Sequence, residues 1–439
     1  MIAEPSAGTY FDPRMETLDR ERLVEHQLER LRAMLREVLA SNRFYQRKLQ
    51  PAGLTDAREL SDWEAFRRLP LTTKAELVAD QAAEPPFGTN LTYPLERYVK
   101  LHQTSGTSGG VPLRWLDTEE SWDWWARLWG HVYRGAGVGP GDRIFFAFSF
   151  GPFIGFWAAW EGARKVGALT LPGGGQQSVQ RLATIRELGA TVLLCTPTYA
   201  LRLAEVAAEQ GIDTAASTIR TTIHAGEPGA SIPATRARIE AAWGARCFDH
   251  CGMTEIGATG FTCQEQSGVH LIESEFIFEV LDPSTLEPVP TGEQGELVIT
   301  NLGRLGSPLI RYRSGDLVRF TPERCDCGRT FGRLPGGILG RVDDMLIVRG
   351  VNIFPSAIED VVRQFTEVAE YRIELSRVRE MAEVTVQIEP TSADLAGALA
   401  ERVAAALRTR IGLRMNVAAV PCGSLPRFEA KAKRVVRLN

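Results

Sequence analysis

The sequence predicts an α/β protein, with a large N-terminal domain of several subdomains followed by a small, mobile α+β C-terminal lid. Three observations carry this expectation. From about residue 97, short apolar runs alternate with helical patterns, as in a largely parallel sheet. After about residue 274 the texture changes to strand-like runs split by a Pro/Gly-rich segment, which reads as a β-rich subdomain. At residues 340–344 a polar, glycine-led stretch breaks the pattern, and a short helix–strand–helix succession follows. The boundary falls at about residue 342, giving domains 1–342 and 343–439.

In chain order, the first element is an amphipathic helix between about residues 18 and 47. Leu23, Leu28, Leu31, Leu35 and Leu39 recur near helical spacing, and Pro51 and Gly53 close it. RYVKLHQ reads as a strand. Residues 121–135 read as a helix with Trp122, Trp125 and Trp129 on one face. RIFFAFSF, ALTLP, TVLLCTP and TTIHAG read as strands, with helices over 179–188 and 199–210 between them. Residues 144–160 hold no charge over 17 positions, but a spanning helix needs ~20 residues. Gly151, Pro152 and Gly155 interrupt the run, so it reads as a buried strand, a turn and the start of a buried helix. EFIFEVLDP and GELVITN are the β-rich strands; the lid reads as a helix over 356–365, a strand over 383–388 and a helix over 395–411.

Composition excludes several classes. Hydrophobic residues make up 44% and charged residues 24% of 439 residues, which excludes wholesale disorder. A net charge of −4 argues against a dedicated nucleic-acid binder. Seven cysteines are too few for a disulfide framework, and the opening residues lack a basic and then apolar leader. A cytoplasmic protein with no membrane partner is the expectation.

Five motifs carry chemistry. Thr104, Ser105, Gly106, Thr107, Ser108, Gly109 and Gly110 follow a strand; glycines let successive N–H groups turn toward an anion, and hydroxyls add donors. Alone, such a stretch is more often a plain loop. Thr254 and Glu255 close DHCGMTE, where an acidic residue could hold Mg²⁺ beside a phosphate, or form a surface turn. Asp316 follows Gly315 and suits two-pronged binding of a ribose diol, although Asp in turns is common. Arg341, Asp343 and Asp344, then Gly350, suit a hinge between two units, or a hairpin with solvated charges. The last motif is the basic run over residues 425–434, which includes Lys431; alone, such a terminal run is more often a solvated face.

In this order the five motifs resemble the adenylate-forming ligases, and the chain looks like the phenylacetate-CoA ligase branch. The stretches CDCGRTFGR, GRVDDMLIVRGVNIFPSAIE and GSLPRFEAKAKRVV carry that closer likeness, together with the N-terminal helix and NRFYQRKL. The resemblance implies a two-step reaction. A carboxylate attacks the α-phosphate of ATP to give an acyl-adenylate and pyrophosphate, and the thiol of coenzyme A then displaces AMP. It further implies that residues 104–110 hold the β,γ-phosphates, Thr254 contacts the α-phosphate, Glu255 holds Mg²⁺, and Asp316 binds the ribose with Arg341 nearby. Gly226, Glu227 and Pro228 match the segment along the adenine, with Asp249 a candidate for the adenine amino group. Lys431 matches the catalytic lysine, Asp343 the hinge, and Gly350 the wall of a pantetheine tunnel.

Departures from the family pattern are visible. Cys251 stands where tyrosine is usual, Ala430 replaces a common glycine, and the phosphate loop lacks the lysine of many relatives. Cys263, His270, Cys325 and Cys327 could complete a tetrahedral structural zinc site, which some members of the branch carry, although a Cys-x-Cys pair without metal can be incidental, since free Cys is often a small apolar residue. Cys195, Cys247 and Cys422 read as core residues. For the acid, Phe153, Trp157, Trp160, Gly174 and Gln176 suggest an apolar wall and a glycine-rich floor suited to an aryl or arylacetic acid, although such aromatics also serve as plain core. The leading expectation is an acid–CoA ligase. A stand-alone enzyme loading a carrier-protein phosphopantetheine and a non-catalytic nucleotide-binding paralogue are the alternatives, and a homodimer is carried as an expectation.

Overall fold

The computed structural model describes residues 9–104, 112–348, 351–378, 381–429 and 431–438. The chain divides into two compact units, each assembled from two separate stretches: Met1–Gly175 with His250–Gly337, and Gln176–Asp249 with Ile338–Asn439.

In the first unit, the expected N-terminal helix is two helices, Arg20–Ser41 and Arg43–Leu49. Asn42 breaks it. Its backbone is extended, and its side-chain oxygen accepts the Tyr45 N–H (3.1 Å), so it caps the second helix. Its amide donates to Asn90 (3.0 Å) and Thr92 (3.2 Å), which holds the break in place. The leucine series ends at Leu39 and gives no signal at Asn42, and the next Pro or Gly comes only at Pro51, so the helix reads on past the break.

The strands Tyr98–Gln103 and Arg114–Thr118 pair antiparallel and lead into the helix Glu119–Gly135. This helix is buried on most of its circumference. Trp124, Trp125 and Trp129 are the buried indoles, whereas Trp122 is half-buried and stacks on His102 with ring centroids 5.2 Å apart. The helix Gly155–Lys165 comes close at Gly162, where a Cβ would lie 2.2 Å from Trp129 Cβ. The uncharged stretch resolves as expected into the strand Arg143–Phe146, a loop and that helix, and the strand pairs parallel with Leu169–Pro172. Two antiparallel groups complete the unit: Gly257–Thr262, Val269–Leu271 and Arg333–Leu334, and Phe276–Leu281, Gln294–Asn301 and Tyr312–Arg319.

In the second unit, Val192–Cys195 and Thr221–His224 pair parallel, and Thr221–His224 pairs parallel with the strand Arg246–Met253. The helices Pro197–Glu209, expected over 199–210, and Pro233–Trp243, which the sequence reading did not name, lie between them in sequence. The C-terminal stretch has its own mixed sheet, in the order Asn416–Ala419, Met381–Pro390, Val368–Val378, Val435–Arg437. The helices Pro355–Val362 and Ala396–Ile411 share with this sheet a core that includes Ile358, Ile373, Val386, Val403 and Leu407. Cys195 and Cys247 are buried as expected; Cys422 is exposed, contrary to expectation, in the connection between the strands Asn416–Ala419 and Val435–Arg437. Among the described residues, no helix is long and apolar enough to cross a membrane.

Candidate active site and metal centre

Of the expected phosphate loop, Ser105, Gly106, Thr107, Ser108, Gly109 and Gly110 lie outside the described residues, as does Gly350, the expected wall of the pantetheine tunnel. Thr104 is buried, and its backbone N–H donates to Leu113 O (3.0 Å) while its hydroxyl accepts the Leu113 N–H (3.0 Å). The Gln103 N–H donates to Pro152 O (2.7 Å), so the stem of this loop is tied to the aromatic segment that follows Phe146.

Thr254 and Glu255 occupy the turn after the strand Arg246–Met253. A buried guanidinium shapes this turn. Arg304 Nη1 donates to Thr254 O (2.8 Å) and Glu255 O (2.9 Å), while Nε and Nη2 each reach Asp117 at 2.7 Å. Both side chains are fully buried, and the indoles of Trp115 and Trp125 lie 5.1 and 5.3 Å from the guanidinium carbon. The Glu255 carboxylate is almost enclosed and lies 3.5 Å from Lys74 Nζ. One enclosed carboxylate at a turn matches what Mg²⁺ takes when most of its other ligands are waters and phosphate oxygens. Arg304, Asp117 and Lys74 carry no local signal in the sequence: the ion pair joins positions 187 apart, outside any glycine-rich motif.

Asp316 lies inside the strand Tyr312–Arg319 and not in a turn beyond Gly315. Gly315 adopts φ +76°, and the pairing slips between Glu296 and Val298, so the glycine forms a bulge that re-aims the strand. The Asp316 N–H donates to Ser314 Oγ (3.0 Å), and the Glu296 carboxylate accepts the Gly315 N–H (3.1 Å) and two Arg313 contacts (2.9 and 2.6 Å). Cys251 packs against Thr259, Sγ to Oγ1 3.3 Å, and the neighbouring His250, pushed down to about 4 by burial, rests 4.4 Å from the Trp129 ring.

The ring cluster of this unit is centred on Phe146, Phe150 and Trp160, with Trp160 5.0 Å from Phe146 and 5.6 Å from Phe150. Gly174 lies beside it: a Cβ there would meet Phe148 O at 3.4 Å and the Phe150 ring at 3.6 Å. Phe153 and Trp157 are more open, at 39% and 41% exposure, and the Trp157 indole donates to Gly151 O (2.9 Å). Gln176 falls in the second unit, where its side-chain oxygen accepts from the Thr184 hydroxyl (3.3 Å).

In the second unit Lys431 lies against Gly226. Gly226 has φ +98°, and a Cβ there would meet Lys431 Cε at 3.3 Å and Thr196 Cγ2 at 3.7 Å. Glu227 accepts the Thr198 N–H (3.0 Å) and the Ala432 N–H (2.8 Å). Pro228, the last residue of this segment, is exposed. Asp249 accepts the Ser231 hydroxyl, and Arg341 Nε donates to Asp343 (2.9 Å). The structure thus brings Lys431 and the Gly226–Glu227 segment together, and it holds Thr254 and Glu255 on a shared buried arginine.

Cys263, His270, Cys325 and Cys327 converge, their ligand atoms all within 4.8 Å of one another. Cys263 Sγ and Cys325 Sγ are 3.8 Å apart, and Cys327 Sγ is 3.6 Å from His270 Nε2. Tetrahedral zinc with bonds of about 2.3 Å to sulfur separates its sulfurs by about 3.8 Å, so the donor set fits the ion. His270 Nδ1 faces Phe331 O (3.2 Å), which turns Nε2 toward the sulfurs, the outer contact usual for a metal-binding imidazole. Arg329 Nη1 lies 3.6 Å from Cys327 Sγ and Arg329 Nε 2.6 Å from Glu16, tying the cluster to the start of the chain.

The family pattern described as AMP-binding enzyme matches residues 104–303, and the AMP-binding enzyme C-terminal domain matches residues 350–438. The chain is 33% identical, over 98% of its length and 99% of the relative's, to a phenylacetate-coenzyme A ligase of Thermus thermophilus. It is 35% identical to the phenylacetate-coenzyme A ligase of Escherichia coli K12, over 98% of both chains. A solved structure of 2-hydroxyisobutyryl-CoA ligase in its postadenylation state, complexed with 2-HIB-AMP, superposes with TM-score 0.92 at 32% identity, covering 99% of this chain and 93% of that one. The chain belongs to the adenylate-forming, AMP-binding enzymes, in their phenylacetate-coenzyme A ligase branch.

Proposed function

We propose that the protein joins an aromatic carboxylic acid to coenzyme A in two steps. The acid's carboxylate attacks the α-phosphate of ATP, the bond to pyrophosphate breaks, and an acyl-adenylate forms. The thiol of coenzyme A then attacks the acyl carbon, loses its proton and releases AMP. The observation that carries this reading is Lys431 seated against Gly226 beside Glu227. The first step brings two anions together, so it needs a cation delivered to the reacting oxygens. The ammonium of Lys431 fills that role. Thr254 donates to the α-phosphate, Asp316 binds the ribose hydroxyls with Arg341 close by, and Asp249 meets the adenine amino group. Bound at Glu255, Mg²⁺ would supply charge neutralisation at the phosphates. Residues 343–439 form the lid, with Asp343 at its hinge.

The two phenylacetate-coenzyme A ligase relatives and the Phe146, Phe150 and Trp160 cluster support an aryl or arylacetic acid. The 2-hydroxyisobutyryl-CoA ligase likeness favours a second reading, a small branched hydroxy acid. Acid-dependent ATP–pyrophosphate exchange over benzoates, arylacetates and short hydroxy acids decides between them. Exchange with arylacetates followed by thioester formation on adding coenzyme A is expected. Exchange confined to hydroxy acids would overturn the aromatic assignment, and exchange without thioester would redirect the acceptor to a carrier protein.

The four-residue cluster is read as a zinc site that braces the β-rich part of the first unit and takes no part in the chemistry. Freshly purified protein is expected to carry one zinc per chain. Cys325→Ser should lose the metal and lower the melting temperature, while exchange per folded molecule persists. Metal-free protein with an unchanged melting temperature would refute the assignment.

A further inference from the structure

We propose that Glu227 is a positioning residue for the adenylation step, a latch that holds the strap bearing Lys431 by its backbone. The proposal rests on the reading of Lys431 given above. Glu227 directs one carboxylate oxygen to each of two backbone donors. Oε1 accepts the Thr198 N–H (3.0 Å) and Oε2 accepts the Ala432 N–H (2.8 Å), on the residue directly after Lys431. Thr198 belongs to the first turn of the helix Pro197–Glu209, whose leading N–H groups have no partner within the helix. The positive end of that helix therefore favours the carboxylate and fixes where it points. The second oxygen remains to accept the strap.

The rest of the strap is pinned on either side. Glu429 accepts from the Ser178 hydroxyl (3.3 Å). Arg434 is buried, donates to both Glu370 oxygens (2.8 and 3.1 Å), and reaches the Thr198 hydroxyl (3.2 Å). These anchors set the strap's course, but neither reaches Ala432, the residue directly after Lys431. Glu227 does. Its own backbone follows Gly226, the residue against which the Lys431 side chain lies. The side chain and the next amide of the strap are thereby registered against the same three-residue segment. In the two-step reaction Lys431 serves the first step and leaves for the second, so this hydrogen bond holds during adenylation and breaks before thioester formation. A charge-assisted hydrogen bond to a backbone amide suits such a contact: strong while made, with both partners able to be rehydrated when it opens.

Glu227→Ala is expected to lower the turnover of acid-dependent ATP–pyrophosphate exchange about 10- to 100-fold relative to thiolysis of supplied acyl-adenylate, the range for losing a charge-assisted hydrogen bond. KM for ATP should move little. Glu227→Gln keeps one acceptor oxygen and should fall between wild type and Ala. Equal losses in both steps would reduce Glu227 to a structural residue, and a loss confined to KM for ATP would make it an adenine contact; either result overturns the latch. A second measurement needs no activity. Trypsin should cut after Lys431 and Lys433 severalfold faster in the Glu227→Ala protein than in wild type, both without ligands. Equal cleavage rates would overturn the latch even if the ligase reading stands. Accelerated cleavage in a protein with no exchange activity would keep the latch and remove only that reading.

Discussion

Lys431→Ala is expected to lower acid-dependent ATP–pyrophosphate exchange by about 10²- to 10³-fold, the usual loss on removing one preorganised group that meets developing charge. Carboxylate and triphosphate repel, and negative charge gathers on the oxygens around the α-phosphorus. An ammonium at that point is worth far more in a water-poor site than in solution. Lys431 is exposed in the absence of ligands, and its aliphatic stem rests on Gly226, so truncation removes a charge without opening a cavity. Stability should therefore change little, and a melting curve beside the kinetics checks this. Thiolysis of supplied acyl-adenylate should be largely intact, because that step attacks an acyl carbon already activated by AMP. Equal loss of both steps would sink the role given to Lys431.

The second large effect concerns a pair distant in sequence. Asp117→Asn is expected to destabilise the protein by about 3–5 kcal/mol, because it leaves the Arg304 guanidinium buried without its counter-charge. The pair is fully enclosed and two-pronged, so no water can substitute for the lost carboxylate. The double change Asp117→Leu with Arg304→Met removes both charges and should be less destabilised than Asp117→Asn alone. It should still impair exchange, since the Thr254 and Glu255 carbonyls lose the donor that shapes their turn. Denaturant unfolding of the three proteins, with exchange measured on folded material, separates the two effects. A cost below about 1 kcal/mol for Asp117→Asn would show that the pair does not behave as a buried ion pair.

What could be read from the sequence was local. The parallel strands Val192–Cys195 and Thr221–His224 announce themselves as apolar runs between helical patterns, and both end within two residues of the anticipated limits. The convergence of Cys263, His270, Cys325 and Cys327 was legible from a Cys-x-Cys pair with a Cys and a His upstream, four residues of metal-ligating type. Lys431 and Gly226 were each singled out by the family resemblance, but their contact was not, because positions so far apart leave no signature of it in either motif. Non-local polar contacts were not legible. Arg304 and Asp117 look like ordinary surface charges until tertiary packing buries them, and Glu227 looks like one more acidic turn residue until the strap is laid against it. Asn42 misled in the opposite sense: with no Pro or Gly between Leu39 and Pro51 the helix read on through it, and the cap to Tyr45 and the hydrogen bonds to Asn90 and Thr92 explain the break.

The alternation of the chain between its two units bears on how the protein is made. Residues 176–249 are synthesised before the stretch that completes the first unit, and their own partner stretch begins only at residue 338. Neither unit can close while the ribosome is still midway through the chain. The strands Val192–Cys195, Thr221–His224 and the start of Arg246–Met253 are all made early and can pair at once, but the stretch that completes their unit begins more than a hundred positions after His224. Long-range closure of this kind is slow, and apolar surface left uncovered in the interval favours aggregation. Synthesis, more than the finished fold, is then the stage at which this chain is most open to misassembly.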